Sequence, residues 1–224
     1  MKNIFFTAVM LLGTQVSFGQ IQKNVGDYTS LKVYDKIPVE LIKSNSNRVE
    51  INGEAENDVE VINKNGDLKI RMSTLNALKG DKVKVKVYYN KSINDIQASQ
   101  GSLINSQDKL KTTSLKLTSN EGSSIKIDVD TDKLNVKINS GGEAIVNGKT
   151  SVLDVIANSG GKFFGKTLKA KTANLTTNAG GEIEANVSEV VDSKTRAGGN
   201  INIYGSPKVK SDKKFAGGNI RYIN

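Results

Sequence analysis

The sequence predicts an all-β protein: a right-handed parallel β-helix, or solenoid, of about 19–20 residues per rung, preceded by an N-terminal β section. Three observations carry this reading. First, a glycine mark recurs as Ser140-Gly141-Gly142, Ser159-Gly160-Gly161, Ala179-Gly180-Gly181, Ala197-Gly198-Gly199 and Ala216-Gly217-Gly218, with first glycines 19, 20, 18 and 19 residues apart. Two weaker marks, Gly101-Ser102 and Gly122-Ser123, precede them at steps of 21 and 19. Second, the stretches between marks alternate apolar and polar residues with period two, as in Ile125-Lys126-Ile127-Asp128-Val129-Asp130 and Leu134-Asn135-Val136-Lys137-Ile138. Period two means strands with one buried face, which excludes helical repeats. Third, apolar residues make up 37% of the chain and aromatics 5%. Strong order at such low apolar content fits a thin, elongated core better than a sphere.

The elements follow in chain order. Residues 1–19 read as a secretory signal peptide. Met1-Lys2-Asn3 is a short basic start, Ile4 to Leu12 an apolar run, and Ser17-Phe18-Gly19 a small-residue cleavage site. The run is far shorter than the ~20 residues needed to span a bilayer. No later stretch is apolar enough to span one. Residues 20–98 lack the glycine period but alternate in Val49-Glu50-Ile51, Val59-Glu60-Val61, Leu68-Lys69-Ile70-Arg71-Met72 and, longest, Val83 to Tyr89. Asn52-Gly53 and Asn65-Gly66 have the composition of hairpin turns. This section reads either as a partly antiparallel cap or as irregular early rungs.

Residues 99–224 hold the repeats, and their columns agree with one another. Asn120, Asn139, Asn158 and Asn178 stand two residues before the first glycine. Rungs stack about 4.8 Å apart, which lets such amides bond from rung to rung. Glu143, Lys162 and Glu182 alternate in sign just after the glycines. Ala144, Phe163, Ile183, Ile201 and Ile220 form an inward column. The right hand follows from the handedness of parallel crossovers. At the far end Lys208, Lys210, Lys213, Lys214 and Arg221 flank the last strand, where charges oppose edge-to-edge aggregation.

A signal peptide, an alternating β section and repeats closing on Arg196-Ala197-Gly198-Gly199-Asn200-Ile201-Asn202-Ile203-Tyr204-Gly205 and Ala216-Gly217-Gly218-Asn219-Ile220-Arg221 resemble the head-GIN-domain family of autotransporter-adhesin-like proteins, abundant in Bacteroidetes. The resemblance covers essentially the whole chain after the signal. It implies an exported β-helical protein and supplies no catalytic or ligand-binding residues.

Composition removes most familiar chemistry. The chain has no Cys and no His, so thiolate nucleophiles, disulfides, histidine bases and the usual zinc and iron–sulfur sites are excluded. Asp128, Asp130 and Asp132 have the spacing of calcium-loop carboxylates. Lys133 stands where that loop needs glycine, and Asn139 where it needs Glu, so the three read as a solvated strand face. Carboxylates are otherwise scattered and Trp is absent, which disfavours the paired acids and aromatic platforms of glycan-cleaving β-helices. The reading is therefore a non-enzyme with no cofactor and no metal. Arg196, Tyr204, Lys208, Lys210, Arg221 and Tyr222 are the candidate surface-binding residues, a basic and aromatic set suited to acidic glycans or other envelope surface components. The competing assignment for the same residues is rung packing and edge protection. The formal charge of +9 comes mostly from dispersed lysines with no nucleic-acid reader motif, so nucleic acid is not an expected partner. Two functions remain in play: an adhesin-like, glycan- or surface-binding module, and a periplasmic structural or regulatory protein that binds another envelope protein. Both place the protein outside the cytoplasm, in the periplasm, on the outer surface or beyond, and both leave self-association open.

Overall fold

A computed structural model describes residues 21–223; the signal-peptide reading of residues 1–19 lies outside them. The strands are β1 (Ile21–Asn24), β2 (Ser30–Val33), β3 (Pro38–Lys43), β4 (Arg48–Gly53), β5 (Val59–Lys64), β6 (Asp67–Met72), β7 (Val83–Tyr89), β8 (Asp95–Ala98), β9 (Leu103–Ser106), β10 (Leu110–Asn120), β11 (Ser124–Asn139), β12 (Glu143–Asn158), β13 (Lys162–Asn178), β14 (Glu182–Arg196), β15 (Asn200–Tyr204), β16 (Val209–Phe215) and β17 (Asn219–Ile223). From β8 and β9 onward every pairing is parallel, and consecutive rungs stack in register: β10 on β11, β11 on β12, β12 on β13, β13 on β14. The fold is a parallel β-solenoid of about 7 turns.

Each full rung is one long strand bent around the core. In β11 the inward positions run Ile125, Ile127, Val129 and Thr131. Asp132 and Lys133 then both face outward, and burial resumes at Leu134, Val136 and Ile138. Two outward residues in succession break the period-two alternation, so the chain turns there. A second, sharper corner lies at each glycine mark. In the seven pairs from Gln100-Gly101 to Ala216-Gly217, the first residue has φ of 49–56° and the glycine 70–89°. Two successive left-handed residues make a type I′ turn. It is closed by bonds such as Gly161 N–H to Asn158 O at 2.9 Å, and tied to the next rung by bonds such as Gly160 N–H to Ala179 O at 3.2 Å. The second glycine serves a different need. At Gly181 a Cβ would lie 2.3 Å from Ala157 O, so the corner admits no side chain there.

The expected columns are in place. Asn139 donates to Asn120 Oδ1 at 2.7 Å, Asn158 to Asn139 at 2.8 Å and Asn178 to Asn158 at 2.7 Å; Asn120 continues the ladder to Ser99 Oγ at 3.2 Å. Ala144, Phe163, Ile183 and Ile201 are stacked in register and fully buried. Phe163 is the largest fully buried side chain, and Gly165 makes room for it: a Cβ there would lie 2.4 Å from the ring. Large beside small fills a thin core without voids.

The N-terminal section contributes rungs and a cap together. β2 and β3 pair parallel with β8 and β9 on one side and with β6 and β7 on the other. The rung made of β6 and β7 thus stacks outside the earlier one made of β2 and β3. Antiparallel β4 and β1 follow on β7, and antiparallel β5 lies on β6. A further corner, Asp35-Lys36, has both φ values at 60° and no glycine; Lys36 N–H donates to Gln100 O at 2.9 Å. Asn65-Gly66 does form the hairpin between β5 and β6. Asn52-Gly53 does not: Gly53 ends β4 opposite Val83, where a Cβ would lie 2.2 Å from Lys82 O.

Candidate functional site

The sequence-expected binding residues do not share one face. Ile203 pairs with Tyr222, and Tyr204 with Ile223. Ile203 points into the core, so Tyr222 also points inward, half-buried against the end of the core, whereas Tyr204 points outward. Lys210 stacks on buried Val191 and Asp212 on buried Ser193, so both occupy inward positions of the last rung. Lys210 Nζ lies 4.2 Å from the centroid of the Tyr222 ring, and the Tyr222 hydroxyl donates to Asp212 Oδ1 at 3.0 Å. This trio lies across the open end of the core. Burial, reinforced by Asp212, pushes the Tyr222 hydroxyl up to about 12. Tyr204 is engaged elsewhere: its hydroxyl donates to Glu184 Oε1 at 3.4 Å and Lys166 Nζ lies 4.8 Å from its ring. Burial and Glu184 raise its titration as well. Arg221 lies beside Asn202 on an exposed outward position, Arg196 pairs with Phe215, and Lys208 is exposed. The structure therefore brings Lys210 and Tyr222 together and leaves Tyr204 on another face.

A second feature is a groove of about 500 Å³ on the bend opposite the glycine corners. That volume is within the range of ligand pockets. It crosses the four rungs of β11, β12, β13 and β14. Its floor is made of small side chains: Thr131, Thr150 and Ala170 stack in register and are buried. The two threonine hydroxyls are tied to backbone, Thr131 to Thr113 O at 3.1 Å and Thr150 to Val152 O at 3.0 Å. The walls are Asp130, Asp132, Lys149, Ser151, Lys169 and Lys171. Two signals in the sequence point to this bend: the paired outward residues Asp132-Lys133, and the departure of the repeat to steps of 20 and 18 beside it.

The acidic string takes ordinary strand roles. Asp128 Oδ1 accepts from Asn147 at 2.8 Å, and Asp130 pairs with Lys149 at 3.4 Å. Among the described residues no three His, Cys, Asp or Glu side chains are grouped to hold a metal ion. The remaining shifted groups sit near the N-terminal end. Burial raises Tyr28 strongly and Tyr89 to about 12, while the 2.5 Å hydrogen bond from Lys32 Nζ to Asp67 Oδ2 raises Lys32 and lowers Asp67. No helix of the described residues is long and apolar enough to cross a membrane.

A thin β-solenoid with bonded outward ladders and a shallow groove is a scaffold that presents surface. The chain belongs to the family described as "Putative auto-transporter adhesin, head GIN domain", whose profile matches residues 27–207. A search of curated proteins finds no match. Among solved structures, the chain is similar to a "putative adhesin" from Bacteroides fragilis NCTC 9343, with TM-score 0.82, 21% identity, and coverage of 91% of this chain and 96% of that one. It is also similar to a "putative adhesin" from Parabacteroides merdae ATCC 43184, with TM-score 0.72, 15% identity, and coverage of 92% and 96%. A "putative lipid binding protein" from Parabacteroides distasonis ATCC 8503 matches with TM-score 0.68, 16% identity, and coverage of 92% and 96%. At these identities the neighbours establish the fold.

Proposed function

We propose that the protein is an exported, non-enzymatic recognition module, adhesin-like in the sense of its family, that binds extended ligands carried on a surface. The observation that carries this reading is the groove across four rungs of a stack whose side chains are already committed to holding the stack together. Recognition on such a scaffold costs little ordering, because the backbone is fixed from both sides. The family description and two of the neighbours support the same reading. The reading of residues 1–19 as a signal supports a site in the envelope or beyond it. Labelling intact cells with a membrane-impermeant amine reagent tests the reading, since exposed lysines such as Lys169 and Lys208 report accessibility. The expected result is labelling without permeabilisation. Labelling only after the outer membrane is opened would contradict a surface role.

One observation favours a second reading, in which the partner is another envelope protein. Val209 and Phe215, at the ends of the edge strand β16, are 57% and 73% exposed. An edge strand bracketed by exposed apolar residues is a template for strand addition. Cross-linking in intact cells that captures one envelope protein, with capture lost on Phe215→Glu, would support this role.

A further inference from the structure

Among the long rungs β10 to β14 the register shifts only beside the groove. Ile145 faces Phe164, but three residues later Gly148 faces Leu168, so β13 holds one residue more than β12 there. Against β14 the excess is larger: Gly165 faces Ala185, and Lys169 already faces Asn186. Extra residues in one strand re-aim the side chains that follow, and such irregularities concentrate at functional sites. The residues re-aimed are Lys169 and Lys171, which form the basic wall of the groove.

The charges are sorted along the axis. Asp130, Lys149 and Lys169 stand in register on successive rungs. Two rung steps separate the first from the last, about 10 Å. Lys149 is taken up by Asp130 at 3.4 Å, and Lys133, next to Asp132, turns away to Asp154 at 3.5 Å. Among the described residues Lys169 and Lys171 have no acidic partner. They are exposed on either side of buried Ala170, whose methyl group leaves the floor between them open. At the other end the Asp132 carboxylate also has no partner among the described residues. The groove thus offers two free ammonium groups at one end and carboxylate acceptors at the other.

We propose that this groove binds an acidic saccharide of the uronic-acid type, with the sugar carboxylate between Lys169 and Lys171 and sugar hydroxyls donating to Asp130 and Asp132. The proposal rests on the recognition reading above and deepens it. A simple anion satisfies the lysines but leaves the Asp132 carboxylate without a hydrogen-bond donor. A neutral sugar leaves the lysines without a counter-charge. An acyl chain could lie on the threonine and alanine methyl groups of the floor but would leave the ammonium groups and carboxylates of the walls unmatched. A saccharide whose carboxylate stands beside several hydroxyl donors satisfies both ends, through charge-assisted hydrogen bonds.

Isothermal titration of the purified protein with an oligogalacturonate tests this, with its methyl ester and inorganic sulfate as controls. The expected result is binding of the oligogalacturonate, at least tenfold weaker binding of the ester and negligible binding of sulfate. The double variant Lys169→Ala/Lys171→Ala should lose tenfold or more. Ser151→Trp, which fills the groove without changing charge, should lose as much. Lys64→Ala/Lys79→Ala, both exposed in the N-terminal section, should leave affinity unchanged. Each variant is checked for an unchanged circular dichroism spectrum. Uronate binding that survives in both groove variants would overturn the groove assignment and leave the recognition reading standing. Sulfate binding equal to that of the uronate would overturn the saccharide assignment, showing an anion site only. If the unaltered protein binds no uronate and no other surface polymer, both readings fall.

Discussion

Replacing Gly160 and Gly181 by alanine, one at a time, separates the two roles that glycine plays at these corners. Gly160 has φ +73°, and a Cβ built there meets nothing within 4 Å. Its alanine variant meets only the backbone strain of the left-handed region, about 1–2 kcal/mol. Gly181 lies outside that region, but its Cβ would sit 2.3 Å from Ala157 O. Ordinary contact begins near 3.4 Å, so the rungs must part by about 1 Å. The bonds that close this step, Glu182 N–H to Gly161 O at 2.9 Å and Gly160 N–H to Ala179 O at 3.2 Å, stretch with it. Overpacking of about 1–3 kcal/mol plus two weakened bonds of about 1 kcal/mol each puts Gly181→Ala at about 3–5 kcal/mol. Asparagine sharpens the contrast. It tolerates the left-handed region, so Gly160→Asn should cost less than Gly160→Ala, whereas Gly181→Asn should be at least as damaging as Gly181→Ala. Urea unfolding followed by far-ultraviolet circular dichroism measures all four. Equal losses for Gly160→Ala and Gly181→Ala would refute the division of roles.

Three further outcomes follow from the same geometry. Asn158→Ala removes the bonds to Asn139 and Asn178 at 2.8 and 2.7 Å and should cost about 2 kcal/mol in urea unfolding; an unchanged midpoint would mean the ladder is ornamental. The Tyr89 hydroxyl is buried with no partner among the described residues, so Tyr89→Phe should leave stability unchanged or raise it by up to about 1 kcal/mol; a clear loss contradicts this. Tyr89 and Tyr222 titrate near 12 in the folded chain against about 10 unfolded, both raised first by burial. Their contribution is present below pH 10 and is lost as pH rises through 12, so the urea midpoint should fall across that window, and less steeply in Tyr222→Phe; a flat profile contradicts it.

Much of the fold was legible because a solenoid repeats each requirement. The corner must be left-handed at every rung, so glycine recurs at 141, 160, 180, 198 and 217. The next position must admit a neighbouring carbonyl, so glycine recurs again at 142, 161 and 181. In two earlier rungs Ser102 and Ser123 take that second place and bond it instead: the Ser123 hydroxyl accepts from Asn120 N–H at 3.0 Å and donates to Ala98 O at 2.8 Å. The corner at Asp35-Lys36 carries no glycine and left no mark to find. The stacking of β6 and β7 outside β2 and β3 was hidden for another reason: periodicity reports rung length, not the order in which rungs are laid down. Parity decided the candidate residues. Tyr204 lies six residues after Gly198 and Tyr222 five after Gly217, and with a period of two that single step sends them to opposite faces. The groove escaped because its walls change identity from rung to rung, Asp130 to Lys149 to Lys169, so no column advertises it.

The central claim, that this scaffold recognises surface-borne ligands, is tested most directly by a glycan array read at low and at high salt. Selective signals on uronate-bearing glycans are expected to persist at high salt and to disappear in Lys169→Ala/Lys171→Ala. Signals on every polyanion that vanish together as salt rises would mean only that a chain of formal charge +9 adheres to negative surfaces, and would contradict the account, as would a blank array.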